Sequence, residues 1–142
     1  MRLYLDTNVL LRFLFDKNEL GAQAVESLFD FSNILYTSSV CVQELIHLCQ
    51  IGKIGETIKG KRKPINPALI IPRIREAGIH INPITEKHLQ TFAELPLSAD
   101  HRDPFDRLII AQAISDRATL MSSDKKFPRY EKNGLQFVYD EQ

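Results

Sequence analysis

Four acidic residues, Asp6, Glu44, Asp106 and Asp124, stand where the chain could bring carboxylates together. Asp6 directly follows the apolar run Leu3-Tyr4-Leu5, and Asp124 follows Thr119-Leu120-Met121-Ser122 after one residue; both runs read as strands. Glu44 and Asp106 fall early in segments that read as helices starting at the same edge. Crowded carboxylates raise one another's pKa, whereas a bound divalent cation keeps them ionised. Mg²⁺ or Mn²⁺ accepts such oxygen ligands, and the chain has no Cys/His spacing suited to zinc. A cation site of this kind activates water, aims it at phosphorus and neutralises the departing oxygen, with one ion or with two about 4 Å apart. Phosphodiester hydrolysis is the chemistry the set suits.

Each acid also has a plainer explanation. Asp6 could cap the following helix, and Asp124 in Ser122-Ser123-Asp124-Lys125-Lys126 could be a polar turn residue. Glu44 shares a helical face with Cys41, Leu45 and Leu48, where an unpaired carboxylate is costly, so a partner such as a metal is expected. Asp103 suits capping and support of its neighbour, and Asp106, one turn later, suits ligation. Asn8 and Ser122 adjoin the acids and could orient them or hold water at the metal. His47, His80, His88 and His101 are scattered without ligand spacing, and packing or solvent roles are expected for all four.

The elements that must position these residues follow from periodicity. Val9 to Phe15 continues from Asp6 at helical spacing, Glu19 to Phe31 places Leu20, Ala24, Leu28 and Phe31 on one helical face, and Ile34 to Thr37 reads as a strand. Ser38-Ser39 caps a helix through Cys49 that ends near Gly52. Lys53 to Asn66 reads as an exposed basic loop. Residues 67–74 suggest a short helix interrupted at Pro72, and Ile79-His80-Ile81 a brief strand. Thr85 opens a helix to about Leu95, Asp103-Pro104 opens another, and Phe137-Val138-Tyr139 is a last strand. Alternating strands and helices predict an α/β fold with a parallel sheet covered on both faces, whose ligands bind beyond the strands' C-terminal ends.

Composition narrows the class further. The 142 residues suit one domain, 1–142, with a core of its own, and 44% hydrophobic with 25% charged residues is ordinary for a globular protein. No stretch approaches the roughly 20 apolar residues of a membrane span, and Asp6 interrupts any signal-peptide core. Cys41 and Cys49 lie about 12 Å apart along one helix, too far to pair, which fits a reducing cytoplasm. Eighteen basic and eighteen acidic residues cancel, so local charge must hold any nucleic acid.

Leu5-Asp6-Thr7-Asn8-Val9-Leu10-Leu11 and Gln43-Glu44-Leu45 resemble the first two motifs of PIN-domain nucleases, specifically VapC-like toxins. The phrase His101-Arg102-Asp103-Pro104-Phe105-Asp106-Arg107-Leu108-Ile109-Ile110-Ala111-Gln112-Ala113 is similar to one that recurs in a bacterial branch of them. In the family pattern the third acid falls on Asp106 and the fourth on Asp124, with Asp103 an alternative ligand. The resemblance implies a three-layer α/β/α sandwich with a central parallel sheet, Mg²⁺ or Mn²⁺ dependence, single-stranded RNA as substrate, a homodimer and a cognate antitoxin. Lys59, Lys61, Arg62 and Lys63, with Arg102 and Arg107, are candidates for RNA-backbone contacts by charge.

The expected activity is therefore that of an endoribonuclease toxin using metal-activated water, with a catalytically idle PIN-like protein-binding module as the alternative. A phosphotransferase with Asp6 as nucleophile is disfavoured, because no second acid follows two residues on.

Overall fold

A computed structural model describes residues 1–141. β1 (Arg2–Leu5) alternates faces, with Leu3 and Leu5 packing into one apolar layer and Tyr4 into the other. Helix α1 (Thr7–Phe15) follows at once, then a 3₁₀ turn (Lys17–Glu19), α2 (Ala22–Leu28) and β2 (Ile34–Ser38). The continuous helix expected from Glu19 to Phe31 is thus broken at Gly21 and ends early. Asp30 accepts from the Ser32 amide and hydroxyl at 2.9 and 2.7 Å and turns the chain, leaving Phe31 fully exposed.

Helix α3 (Ser39–Gln50) starts from Ser38, whose hydroxyl accepts the Val40 N–H at 3.1 Å. The basic segment after it is a two-stranded antiparallel hairpin, β3 (Gly55–Ile58) and β4 (Lys61–Pro64), rather than a loop. Its two-residue turn has φ of 52° at Lys59 and 77° at Gly60, the paired left-handed conformation that fits the twist of tight hairpins. A 3₁₀ turn (Pro67–Leu69) then passes into α4 (Ile70–Glu76). Pro72 lies in the first turn of α4, where its missing N–H has no intrahelical acceptor to lose, so it does not interrupt the helix.

The remainder comprises β5 (His80–Asn82), α5 (Glu86–Glu94), α6 (Pro104–Asp116), β6 (Thr119–Ser122), a 3₁₀ segment (Phe127–Asn133) and β7 (Gln136–Tyr139). The main sheet runs β5-β2-β1-β6-β7, and all its pairs are parallel. One core layer unites Leu3, Leu5, Val9, Leu10, Leu45 and Ile74, and the other unites Tyr4, Ile109, Ile110, Leu120, Phe127 and Tyr130. Both sheet faces are covered, which makes the α/β/α sandwich. Register places Leu5 opposite Thr37 and Met121, so the strands flanking β1 end level with it. The chain leaves β1 towards β2 on one side and returns as β6 on the other, which makes the edge beyond Leu5 the topological switch point. No helix among the described residues is long and apolar enough to cross a membrane.

Candidate active site

Asp6 is the first residue past β1 and the N-cap of α1. One carboxylate oxygen accepts the Thr7 N–H at 2.8 Å and the other accepts from Ser122 Oγ at 2.7 Å. Ser122 ends β6 fully buried, and its oxygen also accepts the Asp124 N–H at 3.0 Å. One hydroxyl therefore sets the positions of two acids on adjacent strand ends. Asp103 caps α6, accepting from the Phe105 and Asp106 amides at 2.9 and 3.4 Å, and Asp106 follows within the first turn. Glu44 comes from α3. Asp6, Glu44, Asp103, Asp106 and Asp124 line one open concavity of about 340 Å³, together with Thr7, Asn8 and Ser123.

The electrostatics follow from this crowding. Burial pushes the Asp6 carboxyl above its ordinary range and the Asp124 charge adds to it, against the bonds from Ser122 and Thr7. Asp106 is pushed up to about 7, by burial first and then by the charges of Asp103, Asp6, Asp124 and Glu44. Glu44 is raised by partial withdrawal from water and then by Asp6 and Asp103. As a whole residue it is exposed at the rim, so its carboxylate is only partly withdrawn from water. The expectation that apolar surroundings force a partner on Glu44 is corrected accordingly. Among the described residues, no lysine or arginine forms an ion pair with any of the five acids. A basin of crowded carboxylates without a lysine or arginine ion pair fits a hard divalent cation, which would lower the energy of the ionised forms.

Sequence reasoning set every histidine aside, and the structure buries one of them against Asp106, a wall of this basin. His101 is buried, with Nδ1 2.6 Å from the Tyr130 hydroxyl and Nε2 3.6 Å from Asp106 Oδ2. Its only sequence signal was its place at the head of the phrase that ends in the third acid. His88 instead serves structure: its Nδ1 accepts the Thr85 N–H at 3.0 Å, and its Nε2 lies 2.8 Å from Asp116.

The hairpin candidates lie elsewhere. Lys59, Lys61, Arg62 and Lys63 are on the exposed hairpin, which meets α1 at its far end from Asp6, where Arg62 lies 4.0 Å from Asp16. Arg107 is corrected as a backbone contact: it is buried over the Phe92 ring at 4.9 Å and donates to the Leu95 carbonyl at 3.1 Å. Arg102 is exposed, beside Asp103 in the chain.

A parallel α/β/α domain with an acidic basin at its switch point is thus what fold and site define. The profile of the PIN domain family matches residues 3–133, and the chain belongs to that family. PIN domains are generally nucleases that use divalent metals. A comparison with curated proteins returns no match. Among solved structures, VapBC2 from Rickettsia felis bound to a promoter DNA fragment is similar, with TM-score 0.68 and 19% identity over 99% of this chain and 100% of that one. VapBC-1 from nontypeable Haemophilus influenzae aligns with TM-score 0.61 and 19% identity over 98% of each chain. VapBC-5 from Mycobacterium tuberculosis, a member of the VapBC family of toxin-antitoxin systems, aligns with TM-score 0.61 and 17% identity over 97% of this chain and 98% of that one. At such identities the likeness shows the fold.

Proposed function

We propose that this chain, as a single PIN domain, is a divalent-metal-dependent endoribonuclease and the VapC-like toxin of a toxin-antitoxin pair. The observation that carries this reading is the gathering of Asp6, Glu44, Asp106 and Asp124 beyond β1 and β6 with no lysine or arginine paired to them among the described residues. Asp6, Glu44, Asp106 and Asp124 would hold Mg²⁺ or Mn²⁺, and Asp103 is an alternative ligand. When bound there, such a cation would supply charge neutralisation at the phosphodiester and a water of lowered pKa.

The chain's own residues do the rest. Ser122 holds Asp6 and the turn bearing Asp124, the α6 cap at Asp103 sets the start of the helix that carries Asp106, and Asn8 faces the same basin. The partners of this reading are RNA, a cognate antitoxin and a second copy of the chain as a homodimer. Likeness to VapBC complexes supports the antitoxin.

The test is cleavage of a panel of structured and single-stranded RNAs by purified protein with Mg²⁺, Mn²⁺ or EDTA, beside Asp6→Asn. Asparagine keeps an oxygen for the Thr7 amide, so the cap survives while a charge is lost. Cation-dependent cleavage in the wild type, lost at least about 100-fold in the variant, is expected. No cleavage of any RNA by folded, antitoxin-free protein would favour an idle binding module.

A further inference from the structure

The His101 imidazole has a nitrogen that the fold leaves without a partner. The residue is 4% exposed, and its Nε2 makes no hydrogen bond although it is buried. A buried polar atom in that state is costly unless something else meets it. Its nearest carboxylate oxygen, Asp106 Oδ2, is 3.6 Å away, beyond hydrogen-bond reach. The ring has little freedom to turn elsewhere. Nδ1 is held by the Tyr130 hydroxyl at 2.6 Å, and the ring packs at 5.9 Å from Phe127 and 5.4 Å from Tyr130, centroid to centroid.

One ligand atom each from His101, Asp106 and Asp124 lies within 4.8 Å of the others. On an octahedral ion with bonds of about 2.1 Å, adjacent ligands are about 3.0 Å apart and opposite ones about 4.2 Å, so the two carboxylates close the set by moving inward by about 1–2 Å. Metal-binding histidines characteristically have their second nitrogen fixed by a hydrogen bond that sets the tautomer, and the Tyr130 hydroxyl is placed for that. With the proton on Nδ1, Nε2 directs its lone pair at the space between Asp106 and Asp124.

We propose that His101 Nε2 is a nitrogen ligand to the cation held by Asp106 and Asp124, tilting the site towards Mn²⁺ over Mg²⁺. This rests on the reading of the basin as a cation site. Imidazole nitrogen suits transition metals, whereas Mg²⁺ favours oxygen alone, so the nitrogen adds affinity for one ion and little for the other. Tyr130 is then a positioning residue that acts through the ring.

The experiment uses the full chain and Mn²⁺ alone as probe. Pulsed electron paramagnetic resonance of bound Mn²⁺ is expected to show coupling to a ¹⁴N nucleus in the wild type and to lose it in His101→Gln. Calorimetry of the same variant is expected to show Mn²⁺ binding weakened by about tenfold and Mg²⁺ binding by less than about twofold. Tyr130→Phe should weaken the Mn²⁺ preference while leaving the nitrogen signal present. Circular dichroism checks that each variant is folded, and the wild-type spectrum needs no variant. Bound Mn²⁺ without nitrogen coupling in the wild type overturns the proposal and leaves the all-carboxylate site standing. No Mn²⁺ binding at all overturns both. Nitrogen coupling in a protein that cleaves no RNA upholds His101 and overturns the nuclease reading.

Discussion

Ser122 and Asp6, on neighbouring strand ends and far apart in sequence, share a 2.7 Å hydrogen bond in which the buried serine donates to the carboxylate. The same oxygen accepts the Asp124 amide, so the hydroxyl couples two walls of the acidic basin. Its loss should damage geometry more than it damages the fold. Ser122→Ala is expected to cost about 1–2 kcal/mol of stability and to lower RNA cleavage by about 10- to 100-fold. Urea unfolding and initial cleavage rates check the two numbers, and full activity in the variant would show that Ser122 does not position the acids.

Asp106 gives the clearest pH signature. Its carboxyl, raised from 3.8 to about 7 in the folded chain, keeps a proton across a window in which the unfolded chain has lost it. The folded state therefore binds more protons between about pH 4 and 7, and stability falls as pH rises through that window. The whole shift is worth about 4 kcal/mol, shared among the coupled acids. Asp106→Asn should thus stabilise the cation-free protein by about 1–3 kcal/mol at pH 8 and add little at pH 4. Urea titrations in EDTA at both pH values test this, and a variant less stable than the wild type at pH 8 would contradict it. Added Mn²⁺ should stabilise the wild type and leave the variant nearly unmoved.

Much of this arrangement was legible because strand ends and helix caps are local signals. Asp6 after Leu3-Tyr4-Leu5, Ser38 before α3 and Asp103-Pro104 before α6 each announce an element boundary, and in a parallel sheet such boundaries share an edge. Tertiary facts were not available in the same way. His101 meets Asp106 only because Tyr130, 29 residues on, fixes its ring. The basic hairpin was hidden because Lys59-Gly60 supplies its turn inside a run of charge, where polar composition suggests a loop. Phe31 followed helical spacing, but the Asp30–Ser32 turn ended the helix before it.

Asp140 is fully buried and holds together three parts of the chain. Its carboxylate lies 3.0 Å from Arg12 and accepts the Gly21 amide at 2.8 Å, while its own N–H donates to the Ser122 carbonyl at 2.9 Å. Asp140→Ala removes the side-chain bonds to α1 and to the start of α2 and should destabilise the protein by about 2–4 kcal/mol. Asp140→Asn, which can still accept from Gly21, should cost about half as much. Denaturant midpoints rank the two, and equal stability of the alanine variant with the wild type would show that Asp140 carries no such load.

The basic hairpin offers a contrasting test because position, rather than charge, decides its role. Arg62 reaches Asp16 just past the C-terminal end of α1, whereas Asp6 caps the other end, and a nine-residue helix spans about 14 Å. Screening over about 8–10 Å at ordinary ionic strength further separates these charges from a phosphate in the acidic basin. Replacing Lys59, Lys61 and Lys63 by Gln together should therefore change cleavage of a short single-stranded RNA by less than about twofold. A longer RNA that wraps the end of α1 would respond differently, losing affinity with a shallower salt dependence. Cleavage rates for short and long substrates at two salt concentrations separate these cases, and a tenfold loss on the short RNA would place the hairpin at the site after all.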